Sequence, residues 1–259
     1  MDTQRQRYAS DLTDTQWDKI QHFFEGMRHR KWPKRELLNG VLYVLENGIK
    51  WRNLPHDFPP WKTVYSFFKR AKDKGIWEDM SAYVTEISRE KSGRDALPTY
   101  GIIDSQSAKT VYSGDARGID GGKKIKGRKR HIVVDTSGRI LGAEVHQANM
   151  HDTKSGILAL RVAKDFFPTI TACCGDAGYR GTFEREAATE LGVEVDIVAR
   201  NQEDGWKILP KRWVVERTFS WFCNYRSLSK DYEVLSSTEV AFIYLTNIHI
   251  LLKRLDKNI

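Results

Sequence analysis

Cysteine is scarce in this sequence, and a long uninterrupted apolar run is missing. Only three of the 259 residues are cysteines, and an odd number without metal-ligand spacing argues against a disulfide framework and against a zinc site. The most apolar stretch, Val240 to Leu255, is interrupted by Thr246, Asn247 and His249, so we interpret it as a buried helix and not as a membrane span. The first residues contain no apolar core resembling a signal peptide. These absences predict a protein of the reducing cytoplasm without a membrane partner.

Acidic residues are also in deficit. Asp and Glu total 34 against 42 Lys and Arg, which gives a net charge of +8. A basic balance favours an anionic partner, of which nucleic acid is the commonest, although a basic protein without such a partner has the same charge. Hydrophobic residues make up 40% of the chain, which is enough for a sizeable core. The length suits one large domain, or a catalytic core with a smaller domain.

The first 92 residues have the apolar spacing of short helices. Ser10 or Thr13 can cap the first helix, the helix over Leu37–Leu45 ends near Gly48, and two more are predicted over residues 64–72 and 76–87. Basic and aromatic residues are interleaved along these helices, an arrangement typical of helix-turn-helix DNA-binding modules. The alternative is a helical bundle whose charged faces are merely solvated. We expect residues 1–92 to form an all-helical DNA-binding domain.

Residues 93–259 instead alternate strands with helices, which predicts an α/β domain. The predicted strands and helices, in chain order, are the strand 100–104, the hairpin 130–136 and 139–146, the helix 152–166, the strand 171–174, the helix 183–191, the strand 193–198, and two helices around residue 216 and from residue 238. This is the order of a ribonuclease-H-like fold, although many α/β domains share it.

Three acidic residues lie at informative places in that order. Asp104 follows an apolar strand, Asp176 ends another, and Glu216 borders the apolar stripe of a helix. A carboxylate at the end of a buried strand is costly unless a nearby charge neutralises it. Three carboxylates on two strands and a helix suit hard cations such as Mg²⁺, which could serve an in-line phosphoryl displacement. Each residue alone also has an ordinary structural explanation: a turn, a helix cap or one half of an ion pair.

Four blocks of sequence carry a resemblance to a known family. They are DSQSAKT from Asp104, GKKIKGRKRH from Gly122, GDAGYRG from Gly175 and RWVVERTFSW from Arg212. The chain resembles the bacterial insertion-sequence transposases of the insertion-sequence-five family, and its N-terminal segment, with Trp51-Arg-Asn-Leu-Pro, resembles that family's helical domain. The resemblance implies a ribonuclease-H-like core with Asp104, Asp176 and Glu216 as the catalytic, metal-binding DDE triad. It also implies Mg²⁺ as cofactor, with Mn²⁺ able to substitute.

The resemblance further implies DNA as the partner. The expected ligands are terminal inverted repeats and target DNA, bound by a homodimer or a higher assembly. The expected reaction cleaves phosphodiesters to expose 3′-hydroxyls and joins these to target DNA. The alternatives are a DNA nuclease that stops after hydrolysis and a domesticated DNA-binding regulator, against which the intact triad argues.

Basic residues supply the candidate DNA contacts in the core. Six of the eight residues from Lys123 to Arg130 are basic, and glycines lie around and within the segment, so we expect a flexible loop that lies along a DNA backbone. Asp152 has a ready role as a helix cap. The candidate contacts are Lys109, Lys123, Lys124, Lys126, Arg128, Lys129, Arg130, Arg217, Arg226 and Lys230.

Overall fold

The computed structural model describes residues 5–28, 31–198 and 212–256. Four helices come first. The strands of a sheet follow, with two more helices between them and two after them. Their bounds are α1 Asp14–Ile20, α2 Lys34–Asn47, α3 Trp61–Asp73, α4 Ile76–Lys91, β1 Tyr100–Lys109, β2 Gly118–Asp120, β3 Ile125–Val134, β4 Ile140–Gln147, α5 Asp152–Phe166, β5 Ala172–Asp176, α6 Thr182–Leu191, β6 Glu194–Val198, α7 Trp213–Phe222 and α8 Ser236–Asp256.

The N-terminal helices start and stop where local chemistry dictates. Thr13 caps α1 through a capping box with Gln16, which satisfies two backbone N–H groups reciprocally. Gly48 ends α2 in the left-handed conformation at φ 63°, which costs glycine little. The helix predicted from residue 64 begins earlier, because Pro60 at its N-cap is compatible with a helix start.

The sheet order is β4-β3-β1-β5-β6, with the short β2 pairing the first residues of β3. Strands β1, β3 and β4 are antiparallel neighbours, whereas β5 and β6 run parallel to β1. An antiparallel three-stranded unit extended by two parallel strands, each reached through a helix, is the ribonuclease-H-like topology. The predicted fold class, this core with an all-helical N-terminal region, is therefore confirmed.

Both faces of the sheet are covered, as a mostly buried sheet requires. On one face Ile103 and Val133 pack with α5 and α6. On the other, Ile102 and Ile132 belong to a cluster that includes α7, α8 and all four N-terminal helices. The hydrophobic core therefore continues across the chain position near residue 92 where the sequence changes from helices to strands.

The helix α8 is buried through most of its length, and its polar residues have partners. Asn247 donates to Ser81 on α4 at 2.9 Å and accepts from the Ile140 backbone on β4 at 3.2 Å. These bonds explain why an amide lies in an apolar run. No helix among the described residues is long and apolar enough to cross a membrane.

The basic segment from Gly121 to Arg130 differs from the predicted loop. Only residues 121–124 form a turn, and β3 begins at Ile125, five residues earlier than predicted. The longer pairing of β1 with β3 requires Gly127, because a Cβ there would lie 1.9 Å from the Ala108 carbonyl oxygen. The sequence prediction was wrong here because lysine and arginine are atypical of a buried strand.

Three of the predicted DNA contacts are structural. Arg128 is fully buried, and its guanidinium bonds both Asp231, at 2.8 Å, and Asp115, at 2.7 Å. It also donates to the carbonyl oxygens of Asp115, Glu233 and Val234. Arginine has the donors for so many acceptors because its guanidinium is a planar fork of N–H groups. Arg128 therefore holds two distant segments against the sheet and is not available to DNA.

Lys129 and Arg130 are buried beside it and are also paired. Lys129 donates to Asp152 and to the Met150 carbonyl, both at 2.9 Å. Arg130 contacts Glu239 on α8, and burial raises the pKa of that carboxyl to about 8 while the guanidinium opposes the shift. The expectation that these two cations contact DNA is therefore wrong, because both are buried and paired with carboxylates.

Replacing Arg128 with Met should destabilise the protein strongly. The substitution leaves the buried Asp231 carboxylate without its cation, a change that typically costs about 3–5 kcal/mol. Urea unfolding of the two proteins measures it. The exposed Lys126→Met is the matched control, expected to change the free energy of unfolding by less than about 0.5 kcal/mol. A stable Arg128→Met protein with weakened DNA binding would instead restore the role predicted from sequence.

Candidate active site

The three acidic residues are positioned by separate parts of the core. Asp104 lies within β1, two residues beyond the last pairing of β1 with β5. Asp176 ends β5, and its side chain accepts from the Gly178 backbone at 2.8 Å. Glu216 lies in the first turn of α7. Because β1 and β5 are parallel neighbours, both aspartates reach the same edge of the sheet, where the start of α7 meets them.

The three carboxylates converge on Arg212. Its Nη2 atom lies 3.6 Å from Asp104, 3.8 Å from Asp176 and 3.6 Å from Glu216. Arg212 is the N-cap residue of α7, one helical turn before Glu216, so the helix places cation and carboxylate on one side. One guanidinium nitrogen thus occupies the point that the three carboxylates share.

Asp104 is the most deeply placed of the three. Burial raises the pKa of its carboxyl from 3.8 to about 6. The Ser105 N–H and Arg212 oppose the shift, whereas the neighbouring Asp176 adds to it. Since the folded protein holds this proton more tightly than the unfolded chain, the contribution to stability decreases as pH rises from about 4 to about 6.

The site fits a hard divalent cation in charge and in donor type. Three carboxylates without thiolates are the ligands that Mg²⁺ and Mn²⁺ prefer, and their convergence on one positive group shows that a cation is accommodated there. The three carboxylates lie 3.6–3.8 Å from the shared point at Arg212 Nη2. These distances are too long for direct coordination, since ligands of Mg²⁺ lie about 2.1 Å from the ion. In line with this, no group of three His, Cys, Asp or Glu side chains within the described ranges is close enough to hold a metal ion.

Comparison with known families now assigns the core. The pattern of the family described as "Transposase DDE domain" matches residues 95–251, more than half of the chain. The chain belongs to the DDE transposase family. The pattern described as "Putative transposase of IS4/5 family" matches residues 12–81. The resemblance predicted from the sequence is therefore confirmed, and it extends to the N-terminal helices of this transposase.

Two curated relatives are similar to parts of the chain. The chain is 32% identical over 130 residues to "Putative transposase for insertion sequence element IS402" from Burkholderia cepacia, which covers 46% of this chain and 60% of the relative. It is 26% identical over 117 residues to "Uncharacterized protein y4sN" from Sinorhizobium fredii (strain NBRC 101917 / NGR234), covering 43% of this chain and 87% of the relative. The match to the first relative spans less than two thirds of that relative's length.

Two solved structures are similar to this transposase at low identity. "Crystal structure of the Mos1 Strand Transfer Complex" is 14% identical with a TM-score of 0.33, over 92% of this chain and 83% of that chain. "Crystal structure of the Mos1 mariner paired end complex with Mn" is 15% identical with a TM-score of 0.32, over 93% and 84%. Superpositions this loose support no conclusion about this chain.

Asp152 is a neighbour of the site whose position the sequence prediction missed. The N-cap of α5 is His151, so Asp152 is not the cap that was predicted. Its carboxylate instead accepts from Ser105, the residue after Asp104, at 3.1 Å and from Lys129 at 2.9 Å. Asp152 therefore ties the start of α5 to β1 beside the first acidic residue.

Two histidines lie next to Asp152. His131 Nδ1 and His146 Nε2 are 2.7 Å apart, and the His131 ring meets the buried Tyr179 edge to face. Burial lowers the pKa of both imidazoles, and the Lys129 ammonium lowers them further. Both rings are therefore neutral near pH 7.

The remaining predicted DNA contacts lie in two groups. Arg217 is already engaged, because its guanidinium lies on the rings of Trp213 and Trp221 and donates to the Ser137 carbonyl oxygen at 3.0 Å. The others have exposed side chains at the surface, where they are accessible to a partner. These are Lys109, Lys123, Lys124, Lys126, Arg226 and Lys230.

Replacing Arg212 with Met should raise the pKa of Asp104 above its present value of about 6. The substitution removes the closest positive charge while the Asp176 carboxylate stays nearby. Carboxyl carbon NMR of metal-free, aspartate-labelled protein measures the titration. Arg217→Met, which removes a cation from the same helix without touching the three carboxylates, should leave it unchanged. An unchanged titration in Arg212→Met would mean that the guanidinium does not hold this position in solution.

Proposed function

We propose that this chain is a DNA transposase that binds the terminal inverted repeats of an insertion sequence. It cleaves a phosphodiester at each end to expose a 3′-hydroxyl and joins that hydroxyl to target DNA. The observation that supports this is the convergence of Asp104, Asp176 and Glu216 on one cationic point in a member of the DDE transposase family. Two ends must be joined together, so the active species is a homodimer or a higher assembly on DNA.

The proposed reaction consists of two displacements of the same kind. In the first, a water oxygen attacks phosphorus and the 3′ oxygen leaves; in the second, that 3′-hydroxyl attacks a target phosphodiester, and a target 3′ oxygen leaves. Bound divalent metal, Mg²⁺ or Mn²⁺, would supply Lewis-acid stabilisation of the attacking and leaving oxygens. One arrangement of carboxylates serves both steps because both are in-line displacements at phosphorus.

The chain's own residues prepare this site. Asp104, Asp176 and Glu216 would be the metal ligands, each held by a separate part of the core. Asp152 accepts hydrogen bonds from Ser105 and from Lys129, and these bonds hold the backbone next to Asp104 in place. Arg212 neutralises the three carboxylates in this structure. A metal ion held by the same carboxylates would have to displace the guanidinium, because two cations cannot occupy the shared point.

Replacing Asp104 with Asn, Asp176 with Asn or Glu216 with Gln should each abolish cleavage and joining. Each substitution removes the negative charge of a proposed ligand while its shape is kept. The loss should exceed the roughly 100-fold effect that mutating a metal's outer-shell partner produces. Gel assays of cleavage and of joining, using a duplex with the element's own end, measure both steps, and DNA affinity should stay near that of the wild type.

The same assays separate this proposal from hydrolysis alone. A precleaved end that carries a free 3′-hydroxyl should be joined to target DNA by the wild type. If the wild type cleaves an intact end but does not join the precleaved end, the protein is a nuclease. Near-normal joining by any of the three variants would remove that residue from the set of ligands.

Arg212→Met should tighten the binding of Mn²⁺ by at least about 10-fold. Two unit charges 4 Å apart interact by about 4 kcal/mol at an effective dielectric constant of 20, and a tenfold change needs only about 1.4 kcal/mol. Electron paramagnetic resonance of free Mn²⁺ measures the affinity without an activity assay. Arg217→Met is the control and should bind Mn²⁺ like the wild type. Equal or weaker binding by Arg212→Met would contradict the displacement of Arg212 by metal.

A further inference from the structure

A basic groove lies between the beginnings of α2 and α3. Its volume is about 670 Å³. Five cationic side chains line it together with Trp32, Thr63, Ser66 and three apolar residues, and no acidic residue is among the lining residues. The five cations of this groove are Arg28, Lys31, Lys34, Lys62 and Arg70.

These five cations lack the partners that comparable residues have elsewhere. Across the described parts of the chain, none of them forms a salt bridge with a carboxylate within 4.0 Å. Lys34 donates to the Phe24 carbonyl oxygen, and the Lys31 ammonium lies 5.3 Å from the centre of the Trp32 ring. Neither contact neutralises a charge. The groove therefore concentrates positive charge that the fold leaves uncompensated.

A second groove in the same region is a natural comparison. It is lined by three arginines and by acidic residues. There Arg5 pairs with Asp11 at 2.7 Å and with Glu36 at 2.8 Å, and Arg35 pairs with Asp14 at 2.5 Å. Arg5 and Arg35, which connect separate parts of the N-terminal region, are thus paired with carboxylates. The basic groove has no carboxylate among the described residues that line it and differs from the second groove in this respect.

The two helices add to the positive potential of the groove. Lys34 and Lys62 lie in the first turns of α2 and α3, whose N-caps are Pro33 and Pro60 and provide no side-chain cap. The first-turn N–H groups of a helix carry partial positive charge and favour anions. Along α3, Lys62, Ser66 and Arg70 follow at intervals of four residues, which places them in one row on the helix surface.

We propose that the basic groove binds the sugar–phosphate backbone of duplex DNA. The proposal rests on the proposed function, which supplies DNA as the partner, and adds a contact surface in the N-terminal region. Successive phosphates of one DNA strand can be contacted by the row of side chains on α3, by the two helix N-termini and by the unpaired lysines. Phosphate contacts position a duplex without reading its bases, so the groove contributes affinity more than sequence preference. His29 and Arg30 lie outside the described residues and form no part of the proposal.

The test uses the intact protein with Lys31, Lys62 and Arg70 together changed to Gln. Fluorescence anisotropy with a labelled duplex of random sequence measures affinity over a range of salt concentrations. Each lost phosphate contact reduces the slope of log affinity against log salt by about 0.9. We expect the affinity to fall by at least about 10-fold and the slope to fall by about two to three.

The matched control changes Lys19, Lys69 and Lys74 to Gln, which removes the same charge without touching the basic groove. Lys19 donates to the Thr15 carbonyl oxygen, and Lys69 pairs with Asp73 at 2.6 Å. The control should keep the wild-type slope to within about one unit, since general attraction falls equally in both variants. A groove variant that behaves like the control overturns the groove assignment and leaves the proposed function standing. A wild type that binds no duplex at any salt overturns both.

A second measurement needs no variant. Acetylation of the wild type with and without duplex, followed by mass spectrometry, reports the exposure of each lysine. Bound DNA should protect Lys31 and Lys62 by several-fold and leave Lys19 and Lys74 reactive. Equal reactivity of all four lysines in the bound protein would overturn the proposal, as would protection by an acidic polypeptide but not by duplex.

Discussion

The rest of the site depends on the neutralisation of three carboxylates that meet at one edge of the sheet. Burial raises the pKa of the Asp104 carboxyl to about 6, and the neighbouring Asp176 carboxylate adds to that rise. A cation must therefore be part of the arrangement. Arg212 is that cation in this structure, and it comes from the same helix as Glu216. The pairing of β1 with β5 and the start of α7 bring the three carboxylates together, and the position of Arg212 meets the resulting electrostatic requirement.

The same requirement governs the strand that supports β1. Arg128, Lys129 and Arg130 follow one another on β3 and are buried, and each is matched to a carboxylate from a distant part of the chain. Asp231 precedes α8 and Glu239 lies in its first turn, while Asp152 begins α5. Buried ion pairs of this kind contribute less to stability than they cost when one partner is removed. Their effect is to fix where these segments lie against the sheet.

Apolar alternation, capping residues and glycines are local signals, and they were sufficient to predict the order of helices and strands. They were also sufficient to predict Asp104 and Asp176 at the ends of two strands. The partners of Arg128 were beyond such signals, because Asp231 lies 103 positions away and no periodicity connects the two. A run of lysines and arginines therefore looked like a solvated loop. The spacing of Arg212 four residues before Glu216 was visible, but its contact with both aspartates depends on the tertiary structure.

Pairing distinguishes the roles of cations in this chain better than their density along the sequence does. The densest basic run contributes three buried cations to the fold, and each has an acidic partner. The basic groove draws its five cations from three separate stretches of the N-terminal region, and the described structure gives none of them a carboxylate within salt-bridge distance. Unpaired cations that share a concave surface carry an electrostatic cost that a folded protein has no structural reason to keep. An anionic ligand relieves that cost, so the location of unpaired charge, and not its amount, is the physical feature that supports the proposed binding of DNA in the basic groove.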